Sequence, residues 1–124
     1  ITNEPAMNIV NGSVESKKII LNQNVQIDLP DKLKEIRPGK YFFGLRASDI
    51  VLDDSGFQFI VDLAEISGSE TILHLHQDNL KFVSLINEVK NFNNRDKVKV
   101  KLMSENLYVF NKKGNLIFSP FKNK

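Results

Sequence analysis

An all-β domain closed as a small barrel is predicted by three features of the sequence. Apolar and polar residues alternate over short stretches, and β-branched and aromatic side chains dominate those stretches. Clusters of Gly, Pro, Asn, Asp and Ser separate them at short intervals, which is the punctuation of turns between strands. About eight to ten short strands follow from this pattern. A closed or partly closed barrel shields the edges of so many strands better than one open sheet. An immunoglobulin-like sandwich is the alternative, and the chain lacks the Trp and the Cys pair that mark it.

The strands can be placed in order. Ile9 to Val14 reads as the first. Lys17 to Leu21 and Val25 to Leu29 form a hairpin across the turn Asn22–Gln23–Asn24, and Pro30 ends it. Asp31 to Ile36 fits one helical turn with Asp31 as its N-cap, before Pro38–Gly39 forces a bend. Tyr41 to Arg46 is a strand and Ile50 to Leu52 a shorter one. Asp53–Asp54–Ser55–Gly56 carries turn chemistry at every position. The longest strand is Phe57 to Ile66, with Phe57, Phe59, Val61 and Leu63 alternating with Gln58, Ile60 and Asp62. Ser67–Gly68–Ser69 turns the chain into Thr71 to His76.

Residues 80–90 fit two patterns. Phe82, Leu85, Ile86 and Val89 make a helical stripe, while Leu80, Phe82 and Ile86 also suit a strand; the periodicity favours helix. Lys97 to Met103 alternates sharply, with Val98, Val100 and Leu102 on one face and Lys97, Lys99 and Lys101 on the other. Leu107 to Phe110, the turn Lys112–Lys113–Gly114–Asn115 and Leu116 to Phe118 make a closing hairpin.

Composition narrows the function classes. The 124 residues suit one domain spanning 1–124. Hydrophobic residues make up 41% and charged ones 26%, an ordinary balance for a globular protein. No apolar run approaches the roughly twenty residues of a membrane span, and no secretory signal is visible. The absence of cysteine removes disulfides, thiolate nucleophiles and Cys-based zinc sites. A net charge of +2 speaks against an extended nucleic-acid surface, so no nucleic-acid partner is expected.

Few residues suggest chemistry. Gly39 and Gly44 have P-loop spacing, but Leu45 and Arg46 follow where Lys and Ser or Thr must hold phosphate and magnesium. His74 and His76, two apart on a strand, project from one face and would ligate zinc if Glu65, Glu70 or Asp78 converged on them. The preferred reading is the polar face of a half-exposed strand, and no metal is assigned. Asp49, Asp53, Asp54, Asp62 and Glu65 show no acid–base pairing by spacing, and no nucleophile elbow is present. No catalytic residue and no cofactor site are therefore expected.

The lysine face, together with Arg95, Lys112, Lys113, Lys122 and Lys124, reads as a charge-protected edge rather than a phosphate track. Single-strand binding would also need exposed aromatics for stacking. Phe57, Phe59 and Phe110 read as core, leaving Phe92, Phe118 and Phe121 as the exposed candidates.

Four segments in order resemble the C-terminal TOBE (transport-associated OB) domain of importer ATPases of the maltose and glycerol-3-phosphate class. The first is Pro5-Ala6-Met7-Asn8 ahead of Ile9 to Val14, similar to a Pro-x-Met-Asn sequence where the family's chain leaves its ATPase domain. The second is Gly44-Leu45-Arg46-Ala47-Ser48-Asp49-Ile50, similar to Gly-Ile-Arg-Pro-Glu-Asp/His-Ile/Leu. In the third, Val61 to His76, residues Glu65, Gly68, Glu70 and His74 match a Val-x-x-x-Glu-x-x-Gly-x-Glu-x-x-x-His pattern. The last is Leu107-Tyr108-Val109-Phe110-Asn111 with Gly114, similar to the family's closing hairpin. Ala47 and Ser48 depart from the usual Pro-Glu, Ser67 from Leu and Asn111 from Asp.

The resemblance implies an OB-like barrel with extra strands. It implies an ATP-binding domain upstream, where ATP and Mg would be bound, and none of that chemistry in this chain. The implied partners are the chain's own ATPase domain, a second ATP-binding subunit in a homodimer, permease subunits reached through the ATPase domain, and in some members a regulatory protein. The implied location is the cytoplasmic face of the inner membrane, as a peripheral subunit. Two rival readings are an oxyanion-binding barrel for molybdate or tungstate and a free-standing OB module for nucleic acid. Within the matched motifs, Gly44 suggests a bulge or close backbone approach, Gly68 a tight turn, and Arg46 with Glu65 an ion pair near the barrel end.

Overall fold

The computed structural model describes residues 5–120. Ten strands lie in two antiparallel sheets, and no α-helix occurs among the described residues. The chain divides into two compact units. Of the described residues, one unit comprises 5–8 and Arg46–Leu102, and the other Ile9–Leu45 and 103–120.

In chain order the strands are β1 (Asn8–Glu15), β2 (Lys18–Asn22), β3 (Val25–Asp28), β4 (Gly39–Leu45), β5 (Ile50–Ser67), β6 (Glu70–Gln77), β7 (Leu80–Ile86), β8 (Lys97–Leu102), β9 (Tyr108–Phe110) and β10 (Leu116–Phe118). The six-stranded sheet runs β10-β9-β4-β1-β2-β3 and the four-stranded sheet β7-β6-β5-β8. The all-β class is thus as the alternation predicts. Neither sheet closes on itself: β10 and β3 are the edges of one, β7 and β8 of the other.

The six-stranded sheet is set by its turns. Ser16 and Lys17 both take positive φ, 51° and 63°, the geometry of a two-residue hairpin, so β2 begins at Lys18 and not at Lys17. Asn22 Oδ1 accepts from the amides of Asn24 and Val25 at 2.8 and 2.7 Å, which folds the β2–β3 turn locally. Lys18 Nζ lies 2.8 Å from Asp28 across this hairpin, and that hydrogen bond and charge hold the Asp28 carboxyl below its usual range. The predicted helical turn after Pro30 is a single 3-10 turn, Asp31–Leu33, with the cap at Pro30 instead of Asp31. Asn111 Oδ1 accepts from the amides of Lys113 and Asn115, and Gly114 takes φ 89° to complete the β9–β10 hairpin. Val14, Ile19, Val25, Phe43 and Val109 form this unit's buried centre.

The four-stranded unit departs from the sequence reading twice. Residues 80–86 are a strand, not a helix: Leu80, Phe82 and Ser84 are buried in alternation, and the ladder to β6 is unbroken from Thr71↔Ile86 to Gln77↔Leu80. Ser84 disguised the period, because it occupies a core position as a polar residue. Its hydroxyl donates to the Ile50 carbonyl, which removes the penalty of burying it. Val89, needed for the helical stripe, is exposed. Thr71 Oγ1 instead ties the following segment down, donating to Glu88 O at 2.8 Å and accepting from Lys90 N at 2.9 Å.

Secondly, Asp53–Asp54–Ser55–Gly56 does not end a strand. Ile50–Leu52 and Phe57–Ile60 belong to one strand, and both Leu52 and Phe57 stand opposite Val100 of β8. The four residues between them form a large bulge. The chemistry of a turn is present, since Asp53 Oδ1 accepts from the Ser55 amide and hydroxyl at 2.8 and 2.6 Å. It bends the strand without reversing it. A second irregularity falls between Val61 and Leu63, and it breaks the predicted inward alternation. Phe59 and Val61 are buried, but Leu63 is 44% exposed and Phe57 half-buried.

Candidate functional site

The four-stranded unit carries the chain's most defined polar arrangements. The first is at Asn8. Its side-chain Nδ2 donates to Val83 O at 2.9 Å, and its Oδ1 accepts from Val83 N at 2.7 Å. An amide side chain has the same donor and acceptor as a peptide group, so Asn8 pairs with the outer backbone of edge strand β7 as a further strand would. Only Asn or Gln can supply both halves from one side chain. Asn8→Ala should therefore lower stability by about 2 kcal/mol. Asn8→Asp should cost at least as much, because one carboxylate oxygen would face the Val83 carbonyl; urea unfolding checks both.

The second arrangement lies across β5 and β6. His74 Nε2 sits 3.0 Å from Glu65 Oε1, and His76 Nδ1 sits 2.7 Å from Asp62 Oδ1. Both histidines are half-buried, while Asp62 and Glu65 are exposed. The strand period puts the imidazoles on one face, opposite the buried Thr71, Leu73 and Leu75. The irregularity at Asp62 is what lets both acids reach them: His74 stands opposite Leu63, and His76 opposite Ile60. Glu65 engages His74, and Arg46 is exposed just before the 3-10 turn Ala47–Asp49. Asp62 as a partner of His76 was not legible in the sequence, because a bulge shifts the cross-strand register by an amount that spacing does not encode.

The third feature is an open groove of about 570 Å³ lined by Leu52, Asp53, Asp54, Gln58, Lys90, Lys97, Val98 and Lys99. Its lysines face two aspartates, so the surface is mixed in sign. Hydrogen bonds from Ser55 hold the Asp53 carboxyl below its ordinary 3.8, with Lys101 adding to the effect. A carboxylate so stabilised is a weak base. The lysine row of β8 is exposed on the edge of its sheet. Lys112 and Lys113 are exposed in the other unit, and Lys122, Lys124 and Phe121 lie outside the described residues. Phe92 and Phe118 are half-buried, as is Phe110, which was expected in the core.

The remaining motif residues do not gather into one cleft among the described residues. Pro5 and Met7 are half-buried ahead of β1. Gly44 is buried in β4 opposite Tyr108, without a bulge in that pairing. Asp49 closes the 3-10 turn by donating its amide to Arg46 O at 2.9 Å. Gly68 occupies the predicted β5–β6 turn with φ 62°, flanked by the pair Ser67↔Glu70. Phe110 stands between Phe42 and Leu116. No helix is long and apolar enough to cross a membrane, and no three metal-ligating side chains converge, among the described residues. No family model matches the chain, and no curated protein sequence matches it significantly.

Proposed function

We propose that this chain is a non-catalytic regulatory and dimerisation domain of the ATP-binding subunit of an ABC importer for sugars or related solutes. In this reading it is an OB-like module of the TOBE type, peripheral at the cytoplasmic face of the membrane. It associates with its own ATPase domain and a second such subunit, and ATP and Mg are bound by the ATPase domain. The observation that carries the reading is the order and spacing of four motifs, from Pro5-Ala6-Met7-Asn8 to Phe110 and Gly114.

Several motif residues have structural work that suits a rigid docking module. Asn8 fastens the chain to β7 where the family's chain would arrive from the ATPase domain. Gly68 and Gly114 hold left-handed turns that a side chain would strain. A tether between moving catalytic domains needs a scaffold that keeps its shape and a surface that others can grip, and tight hairpin turns such as those at Gly68 and Gly114 support the first.

The reading frame upstream of Ile1 gives the direct test. It should encode roughly 230 residues, the size of a separate domain, carrying Walker motifs. A stop codon immediately upstream, or an unrelated domain, would overturn the proposal. Calorimetry with molybdate should show no heat of binding; saturable binding would favour the oxyanion barrel instead.

A further inference from the structure

We propose that His74 and His76 form a two-imidazole chelate for a borderline divalent cation of the nickel, copper or zinc kind. The inference is independent of the transport reading and rests on the outer face of β6. Two histidines separated by one residue on a strand present their rings on the same side. Each ring has one nitrogen held by a carboxylate: Nε2 of His74 by Glu65 and Nδ1 of His76 by Asp62.

A carboxylate only accepts, so the ring proton resides on those nitrogens in the neutral imidazole. The other nitrogen of each ring, Nδ1 of His74 and Nε2 of His76, then carries a lone pair. This carboxylate–imidazole arrangement fixes the tautomer of a metal-binding ring. Imidazole nitrogens suit nickel, copper and zinc.

The surroundings agree with a cation. Asp62 and Glu65 place two carboxylates beside the pair; Lys81 stands directly opposite His76 on β7, and Lys97 of β8 shares that cross-strand row beyond Ile60. The imidazole side chains are 39% and 33% exposed, enough for an ion to reach them. A metal–nitrogen bond of about 2.1 Å needs the two donor atoms about 3 Å apart, which side-chain rotation on a common face must provide. With only two protein donors the site is open, and water fills the remaining positions. A third protein ligand does not converge among the described residues, so the ion is exchangeable and does not hold the fold together.

The test uses the untagged chain titrated with Ni²⁺ and, separately, Zn²⁺, followed by calorimetry and by the imidazole proton resonances. One ion per chain should bind, with shifts centred on the His74 and His76 rings. His74→Gln and His76→Gln should each weaken binding about 10-fold or more, and Glu65→Gln with Asp62→Asn by about 10-fold. Retained circular dichroism shows that these exposed-face variants still fold. Absence of saturable binding to the wild-type chain overturns the proposal. So does affinity unchanged in the doubly substituted His74→Gln/His76→Gln chain.

Discussion

Phe59→Ala should lower the stability of the folded chain by about 3–5 kcal/mol, the range for deleting a fully buried ring. Phe59 is 1% exposed at the centre of the four-stranded unit, opposite Val98 in the β5–β8 ladder. Its ring lies 5.6 Å from that of Phe82, tilted by 55°, so truncation also removes an aromatic pair that contributes beyond the buried area. The neighbours cannot collapse into the space cheaply. Val61 and Phe82 both stand opposite Leu75 of β6, and moving them would break ladder hydrogen bonds.

Leu63→Ala, four residues along the same strand, supplies the comparison. Leu63 is 44% exposed, and its loss should cost well under about 1 kcal/mol. Urea unfolding with an unchanged slope reads both changes as stability differences. Equal costs at the two positions would mean that β5 does not enter the core in the phase described.

The contrast between Phe59 and Leu63 also shows how far the sequence could be read. Alternation identified β5, β6, β8 and the β2–β3 hairpin because each has a stretch in which one face is buried and the other wet. Phe59, Val61, Leu73, Leu75 and Val100 are all in the core as that pattern requires. Alternation failed where backbone irregularity changed the phase. Leu63 lies beyond the break at Asp62, and nothing in its residue type reports that shift.

The turn at Asp53–Gly56 failed for a related reason. Local hydrogen bonds specify a bend, while the direction in which the chain leaves it is decided by pairing with β8, more than forty residues later in sequence. Ser84 hid a strand because its hydroxyl is satisfied by a distant carbonyl, a long-range fact that composition does not hold. Of the motif residues, Asn8, Gly68 and Gly114 have evident structural roles. Glu65 bonds His74, a residue that the same motif contains.

Gly56→Ala should be nearly as damaging as loss of the Phe59 ring, although it adds only one carbon. A Cβ built on Gly56 would lie 2.1 Å from the carbonyl oxygen of Val100, 2.3 Å from its carbonyl carbon and 2.8 Å from the Lys101 amide nitrogen. All three are backbone atoms of β8, so no side-chain rotation relieves the clash. The bulge is the cause: it folds residues 53–56 out of register and brings the backbone of β5 onto β8, where Leu52 and Phe57 share Val100 as partner. Separating the strands by the ångström or more that a methyl group requires would break pairing on both sides of Val100. A cost of about 3 kcal/mol follows from overpacking against a backbone that cannot yield. Gly114→Ala separates this effect from simple loss of glycine. No atom lies within 4 Å of a Cβ built at Gly114, and its φ of 89° leaves only conformational strain, about 1–2 kcal/mol. Hydrogen exchange should show the Gly56 variant opening at Ile50–Leu52, Phe57–Ile60 and β8 while the six-stranded sheet keeps its protection. Unchanged protection along β8 would mean that β5 and β8 do not meet at this glycine.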